Sequence, residues 1–263
     1  MKSIKKIILC ILLLTIFFLI GCNEEEDPVA KFRYVPTSET TCSVWVSVNP
    51  KYSSPTRYKV FLEIPEAYMG KKVTALDPDS FIQYNESVTS ITFGKYVEDI
   101  SVEALKRCKN LTSVNISEEN EHLTKIDGVI YTKDMKKIVH VDSIVSSCRI
   151  QSGVEVIGKY AFVNNHNIMF FAAPSTLKVI EPYAFYECRG LEEINMLDES
   201  LLEEIGEYAF YNNLRLKGLK MPTTIKTIGA YAFNKCKYLA AFEILEDSKL
   251  DILENTHLKT LKH

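Results

Sequence analysis

The sequence predicts a solenoid of short parallel strands stacked turn on turn, joined by short helical or 3₁₀ segments and closed at its N-terminal end by an antiparallel β cap. Three observations predict it. A six-residue phrase returns four times, at 157–162, 180–185, 205–210 and 228–233, as I-G-K-Y-A-F, I-E-P-Y-A-F, I-G-E-Y-A-F and I-G-A-Y-A-F. Its phenylalanines lie 23, 25 and 23 residues apart, and the columns five and eight before them and six, nine and eleven after them are all apolar. Ahead of the repeats, Cys42-Ser43-Val44-Trp45-Val46-Ser47-Val48 alternates cleanly in polarity. Units of this length cannot bury an apolar face alone and gain a core only by stacking.

At the start of the chain, Lys2, Lys5 and Lys6 precede an apolar run from Ile7 to Ile20 that holds no charge and one polar residue, Thr15. A charged segment followed by a short apolar one has the form of an export signal, and it is shorter than the roughly 20 residues a spanning helix needs. The run ends in Leu19-Ile20-Gly21-Cys22, which resembles the lipobox of bacterial lipoproteins and implies a signal peptide over residues 1–21 and a lipid on Cys22. A chance cysteine at the end of a secretory segment is the alternative. Residues 22–28 include Glu24, Glu25, Glu26 and Asp27, a solvated tether that cannot pack. Acidic runs at this position resemble the surface-export signal of some Gram-negative lipoproteins. The implied location is the outer membrane, on its outer face.

Removal of residues 1–21 shifts the formal charge from −3 to −6. A negative chain offers nothing to nucleic acid. Residues 29–70 read as the cap, with Cys42–Val48 and the alternating run Tyr58, Val60, Leu62, Ile64 as antiparallel strands. Residues 71–263 read as the repeat domain. Val73, Leu76 and Phe81 fit the first turn, and Val97, Ile100, Leu105, Cys108, Leu111, Val114 and Ile116 the next, with Leu105 in place of phenylalanine. Leu250, Leu253 and Leu258 keep the spacing in a last, decayed unit.

One interval is too long, since 57 residues separate Leu105 from Phe162. The surplus holds Ile126–Tyr131 and Lys136–His140 around a polar link, which predicts a hairpin, or a modified turn, inserted at about 123–148. In the regular units, the columns nine and eleven residues past each phenylalanine share a strand face by the period of two. One short strand per turn follows, with a compact helical segment around Tyr-Ala-Phe.

The unit I-x-x-Y-A-F-x-x-[CN]-x-x-L, the segment D-G-V-I-Y-T-K-D from Asp127 to Asp134 and the lead-in from Ile64 to Leu76 together resemble the BspA-like leucine-rich repeat family of bacterial surface proteins. The likeness spans about residues 58–258. It implies a leucine-rich-repeat solenoid and, for some members, adhesion to host matrix proteins or to other bacteria. The family shares no binding-residue motif.

Candidate binding residues therefore come from the strand itself. Positions eight and ten past each phenylalanine should face outward: Ser113, Asn115, Phe170, Ala172, Glu193, Asn195, Gly218, Lys220, Ala241 and Glu243. Seven turns would make this face about 35 Å long, suited to a protein or glycan. Phe170 is its one large apolar residue, either an exposed anchor or packed inward in an irregular turn.

Catalytic chemistry finds no footing. The five histidines are scattered without metal-ligand spacing, and adjacent pairs such as Glu192-Glu193 and Glu203-Glu204 point to opposite faces of a strand. Cys108, Cys188 and Cys236 share one repeat position with Asn165 and Asn213, a buried ladder whose side chains either pack as small hydrophobes or satisfy turn backbone. Tyr160, Tyr183, Tyr208 and Tyr231 form a column of stacked rings with hydroxyls at the rim. The expectation is a lipid-anchored surface module, not an enzyme, without metal or cofactor, that binds a host or bacterial surface protein. The alternative is a glycan-capture lipoprotein aiding nutrient uptake, which requires the tyrosine column to lie open in a groove.

Overall fold

In the cap, alternate residues Ala30, Phe32 and Tyr34 turn inward while Lys31, Arg33 and Val35 turn to solvent, which is the pattern of a half-buried strand. This strand, β1 (Ala30–Pro36), pairs antiparallel with β2 (Thr41–Val48), Arg33 opposite Trp45. The computed structural model describes residues 28–83, 85–196, 199–244 and 250–252. The leader, Cys22, the acidic tether and the last-unit residues Leu253 and Leu258 lie outside the described residues.

Next come β3 (Val60–Glu63), β4 (Ala67–Tyr68) and β5 (Lys71–Leu76). The cap is a sheet of order β1-β2-β5-β4, in which β2 and β5 run parallel. The expected partnership of the Tyr58–Ile64 run with β2 does not form. β3 instead pairs in parallel with β6 (Val88–Phe93), and β6 with β7 (Ser113–Ile116), so β3 is already a strand of the solenoid. The reason is burial: Val60, Leu62 and Ile64 continue the apolar face of Ile91, Phe93 and Val114, whereas the free edge of β2 is taken by β1.

Between β6 and β7 lies α1 (Val102–Leu105); with the 3₁₀ turn Pro50–Tyr52 it is the only helix among the described residues. The insertion follows as β8 (Leu123–Ile126), β9 (Val129–Thr132) and β10 (Lys137–Val141), an antiparallel meander, and β11 (Ser147–Arg149) returns to the stack. Within the insertion β9 and β10 form a hairpin across the link 133–136, and β8 adds a third strand on the other edge of β9.

The regular turns then contribute two strands each: β12 (Val156–Ile157) and β13 (Phe170–Ala172), β14 (Val179–Ile180) and β15 (Glu193–Asn195), β16 (Glu204–Ile205) and β17 (Gly218–Met221), β18 (Thr227–Ile228) and β19 (Ala241–Ile244), then β20 (Asp251–Ile252). The front strands form the sheet β11-β13-β15-β17-β19, and the isoleucine column forms a second, flanking sheet that continues into β10, β9 and β8. A strand of two residues is too short to show alternation, so this second sheet leaves no period in the sequence.

The third side of each turn is Tyr-Ala-Phe, expected as helical and found as a tight turn. Tyr160, Tyr183, Tyr208 and Tyr231 all adopt positive φ, from 55° to 62°. Their backbone bonds run between turns, as in Phe162 N–H to Ala184 O at 2.8 Å and Phe185 N–H to Ala209 O at 2.7 Å. A helix would spend those donors within its own turn, whereas stacking uses them to join neighbours. Gly206 and Gly229 permit the approach: a Cβ on either would fall 2.4 Å from the backbone nitrogen of Pro182 or Glu207 in the preceding turn.

Inside, Phe162, Phe185, Phe210 and Phe233 stack with ring centroids 4.4, 4.9 and 5.2 Å apart. The cysteine and asparagine ladder stands beside them. Cys188 Sγ donates to Phe162 O at 2.9 Å, Asn213 Nδ2 to Phe185 O at 3.1 Å and Cys236 Sγ to Phe210 O at 3.1 Å. Thiol and amide thus serve the same carbonyl, one turn back. Burial pushes the Cys108 and Cys236 thiols up to about 12, so they stay protonated and unreactive at neutral pH.

Candidate partner-binding face

The side chains that can meet a partner are those the strand period turns away from this core. On β13 and β15 the pattern is exposed, buried, exposed, with Phe171 and Ile194 inward. Phe170 therefore stands outward at 49% exposure, beside Met169 at 40%. The inward alternative fails because Phe171, 1% exposed, already fills the core position against Phe162 and Phe185.

Register fixes what lies next to what. Phe170 sits opposite Glu193, Glu193 opposite Gly218, Ala172 opposite Asn195, and Lys220 opposite Glu243. Glu193, Asn195, Lys220, Ala241 and Glu243 are all exposed. The structure thus brings Phe170, Glu193, Asn195, Lys220 and Glu243 onto one strip. Gly218 leaves a shallow place between Glu193 and Ala241. Just upstream, Glu192 bonds Lys217 at 2.7 Å and pairs with Arg215, and the Lys217 hydrogen bond holds its carboxyl below the usual range.

Ser113 and Asn115 are not on that strip. They belong to the separate sheet β3-β6-β7, and both are half-buried. Lys125 Nζ donates to Ser113 Oγ at 3.2 Å and to Asn115 Oδ1 at 3.3 Å, while Asn115 Nδ2 donates to Ser90 Oγ at 3.2 Å. The break has one cause. Asp142, arriving from the insertion, accepts Val114 N–H at 2.9 Å, a donor that a further strand would otherwise take, and pairs with Lys125 at 2.6 Å. The seven-turn face expected from the sequence is therefore interrupted. Its unbroken part is five strands, on the order of 20 Å across.

The tyrosine column does not lie open. Tyr160, Tyr183, Tyr208 and Tyr231 stack at 4.9, 5.1 and 5.0 Å, and Lys106 Nζ covers the Tyr160 ring at 4.0 Å. A second ladder, Tyr186 on Tyr211 at 5.0 Å, packs against the first. Sugar rings stack on aromatic faces, and here the faces are spent on one another, leaving edges and hydroxyls outward. Sequence reasoning missed this second ladder, although Tyr186 and Tyr211 each follow the repeat phenylalanine and so were open to the same column count.

Charge on the flanks is paired in rows. Glu155 lies between Lys136 and Lys178 at 2.6 and 2.7 Å, and hydrogen bonds from Lys136 first and Lys178 second pull its carboxyl down to about 2. A depression of about 440 Å³ between the loops 150–153 and 174–176 is lined by Ile150, Gln151, Ser152, Gly153, Pro174, Ser175 and Thr176, none of them titratable. No group of three or more metal-ligating side chains occurs among the described residues.

Two parallel strands and a buried aromatic ladder per turn, repeated at a leucine-rich period, define a leucine-rich-repeat protein, an architecture that presents one extended face for binding. The model of the BspA type leucine rich repeat region matches residues 61–150 and 155–262 in six copies, and the chain belongs to that family. Its first match begins inside β3, where the solenoid begins. Among solved structures, the chain is similar to a leucine-rich repeat protein from Eubacterium ventriosum (TM-score 0.56, 20% identity, 70% of this chain and 54% of that one). It is also similar to a leucine rich cell surface protein from Faecalibacterium prausnitzii (TM-score 0.52, 21% identity, 70% of this chain and 59% of that one). The chain thus spans a little over half of either relative, and the likeness is one of fold. No curated protein matches it.

Proposed function

We propose that this chain is a lipid-anchored cell-surface module that binds a protein partner through the outward strip of its five-stranded front sheet. The observation that carries the reading is Phe170, a large aromatic half-exposed on a rigid parallel sheet, with Met169 beside it, Glu193 opposite it, and Asn195, Lys220 and Glu243 farther along the same face. An exposed aromatic anchor on a polar face is the composition of a binding hot spot. A solvent-facing front sheet has no structural use for a phenylalanine, because the core position is filled by Phe171.

The membership of a family of repeat scaffolds supports an interaction role, and the cell-surface description of one structural relative supports the location. The glycan-capture alternative loses its main support, since the tyrosine faces it needs are stacked against one another.

Two measurements test anchor and location. Replacement Cys22→Ala should release the protein from membranes, and retention of that variant refutes the anchor. Protease added to intact cells should remove the wild-type protein; removal only after lysis places it inside the outer membrane and refutes the adhesion role.

A further inference from the structure

Among the described residues, the N-terminal end of the molecule concentrates exposed cations that no carboxylate pairs. Between Pro28 and Leu62 the chain carries Lys31, Arg33, Lys51, Arg57 and Lys59 against the single acid Glu39, although the whole chain is net negative. All five cations are exposed. Among the described residues none of the five has a carboxylate partner, whereas Lys136, Lys137, Lys159, Lys178 and Lys226 in the later turns each sit within 2.7 Å of one. Glu39 lies at the far tip of the β1–β2 hairpin, where Lys71 holds its carbonyl.

Three of the five have aromatic company instead. Arg33 lies 4.6 Å over Trp45, Lys51 5.5 Å from the Tyr52 ring and Arg57 5.4 Å from Tyr58, while Tyr52 and Tyr58 pack edge to face at 5.2 Å. Exposed cations interleaved with Trp and Tyr make the composition that settles at a lipid headgroup layer. Trp45 is held in turn by its indole N–H, which donates to Asp79 O at 2.9 Å.

The position of this end points to its occupant. Asn49 donates through its backbone to Val29 O at 2.9 Å and through Nδ2 to Pro28 O at 3.2 Å, which pins the emerging chain beside the turn that bears Lys51. From Cys22 to Pro28 is six residues, a reach of at most about 21 Å. A lipid on Cys22 therefore holds this basic end close to the bilayer, and no other part of the described chain begins so near it.

We propose that the cap end, through Lys31, Arg33, Lys51, Arg57 and Lys59, docks on the anionic phosphate headgroups of the membrane that its own anchor enters. The inference rests on the lipid-anchor reading of Cys22. Docking stands the solenoid on its first layer, so that the later turns and the Phe170 strip point away from the membrane.

The test uses a polypeptide beginning at Asn23, which has no lipid and keeps the acidic run as an internal competitor. It is sedimented with vesicles of phosphatidylcholine alone and with vesicles containing phosphatidylglycerol, at low and at raised salt. The expected result is at least about tenfold stronger partition onto the anionic vesicles, lost at raised salt. The variant carrying K31E, R33E, K51E, R57E and K59E should fall to the phosphatidylcholine level while its circular dichroism and melting temperature stay those of the wild type. Equal partition onto both vesicles overturns the inference, as does undiminished binding by the folded variant. Retention on heparin without vesicle binding overturns it in favour of a soluble polyanion. Lipid labelling of full-length chain and Cys22→Ala tests the anchor separately, so either reading can fail while the other's result stands.

Discussion

His140 shows how a single residue of this chain can be read only once its surroundings are known. In the sequence it is one of five scattered histidines; in the structure it is 8% exposed, and its Nδ1 has no hydrogen-bond partner. Burial pulls its pKa down to about 4, against a smaller upward pull from Asp142. The native state thus keeps the imidazole neutral while the unfolded chain takes up a proton below about 6.5. Stability is full above that pH and falls as pH drops from 6.5 towards 4, by about 3 kcal/mol from this group. Urea unfolding at successive pH values should show that slope, and His140→Leu should flatten it. The columns around Phe162 and Cys188 were legible without structure, because each turn repeats the contact of the last. A lone buried polar group has no column to reveal it.

Among the elements, the insertion carries the largest departure from expectation. Its hairpin was legible from the runs Ile126–Tyr131 and Lys136–His140 around the polar link 132–135, whereas the Asp127-Gly128 turn, at φ of 49° and 80°, was read as part of the first run and hid the additional strand β8. Its effect on the front sheet was not, because the cause is one carboxylate reaching a strand 28 residues earlier, Asp142 Oδ1 to Val114 N–H. The two-residue flanking strands and the turn conformation of Tyr-Ala-Phe escaped for a related reason. Both are set by bonds to the next turn, and local pattern reports only bonds within a segment. The Asp142–Lys125 pair is nearly buried on the aspartate side, at 3% side-chain exposure. Asp142→Ala leaves the lysine and the Val114 donor without their partner and should cost about 3–5 kcal/mol. The paired change Asp142→Leu with Lys125→Met should recover part of it in a thermal melt; a wild-type melting temperature in Asp142→Ala alone would show that the pair is not holding the junction.

On the scale of the whole molecule, the described residues form two hydrophobic cores. One gathers residues from the cap to Leu123 and Ile130, the other runs from Val129 and Tyr131 to Leu239, so neighbouring residues of β9 feed opposite sides. Stacked repeats are stabilised by nearest-neighbour contacts, and a polar layer at Lys125, Asp142 and His140 weakens the coupling between halves. Phe210→Ala removes one ring from the stack, with a typical loss of about 3–5 kcal/mol. Hydrogen exchange should then accelerate across β14 to β19 while β2, β5 and β6 keep wild-type protection. Uniform acceleration would mean one cooperative unit. This division also places the roles: the first half meets the cap, and the second carries the unbroken front sheet.

That sheet is where we propose partner binding, with Phe170 as the proposed anchor. The most direct measurement is binding of the 23–263 fragment and its Phe170→Asp variant to immobilised extracellular-matrix proteins and to a glycan array, with melting temperatures recorded for both. The account predicts saturable binding of the wild type to a protein surface, reduced at least about tenfold in Phe170→Asp at an unchanged melting temperature. Equal binding by the two proteins, or binding to glycans alone, would contradict it.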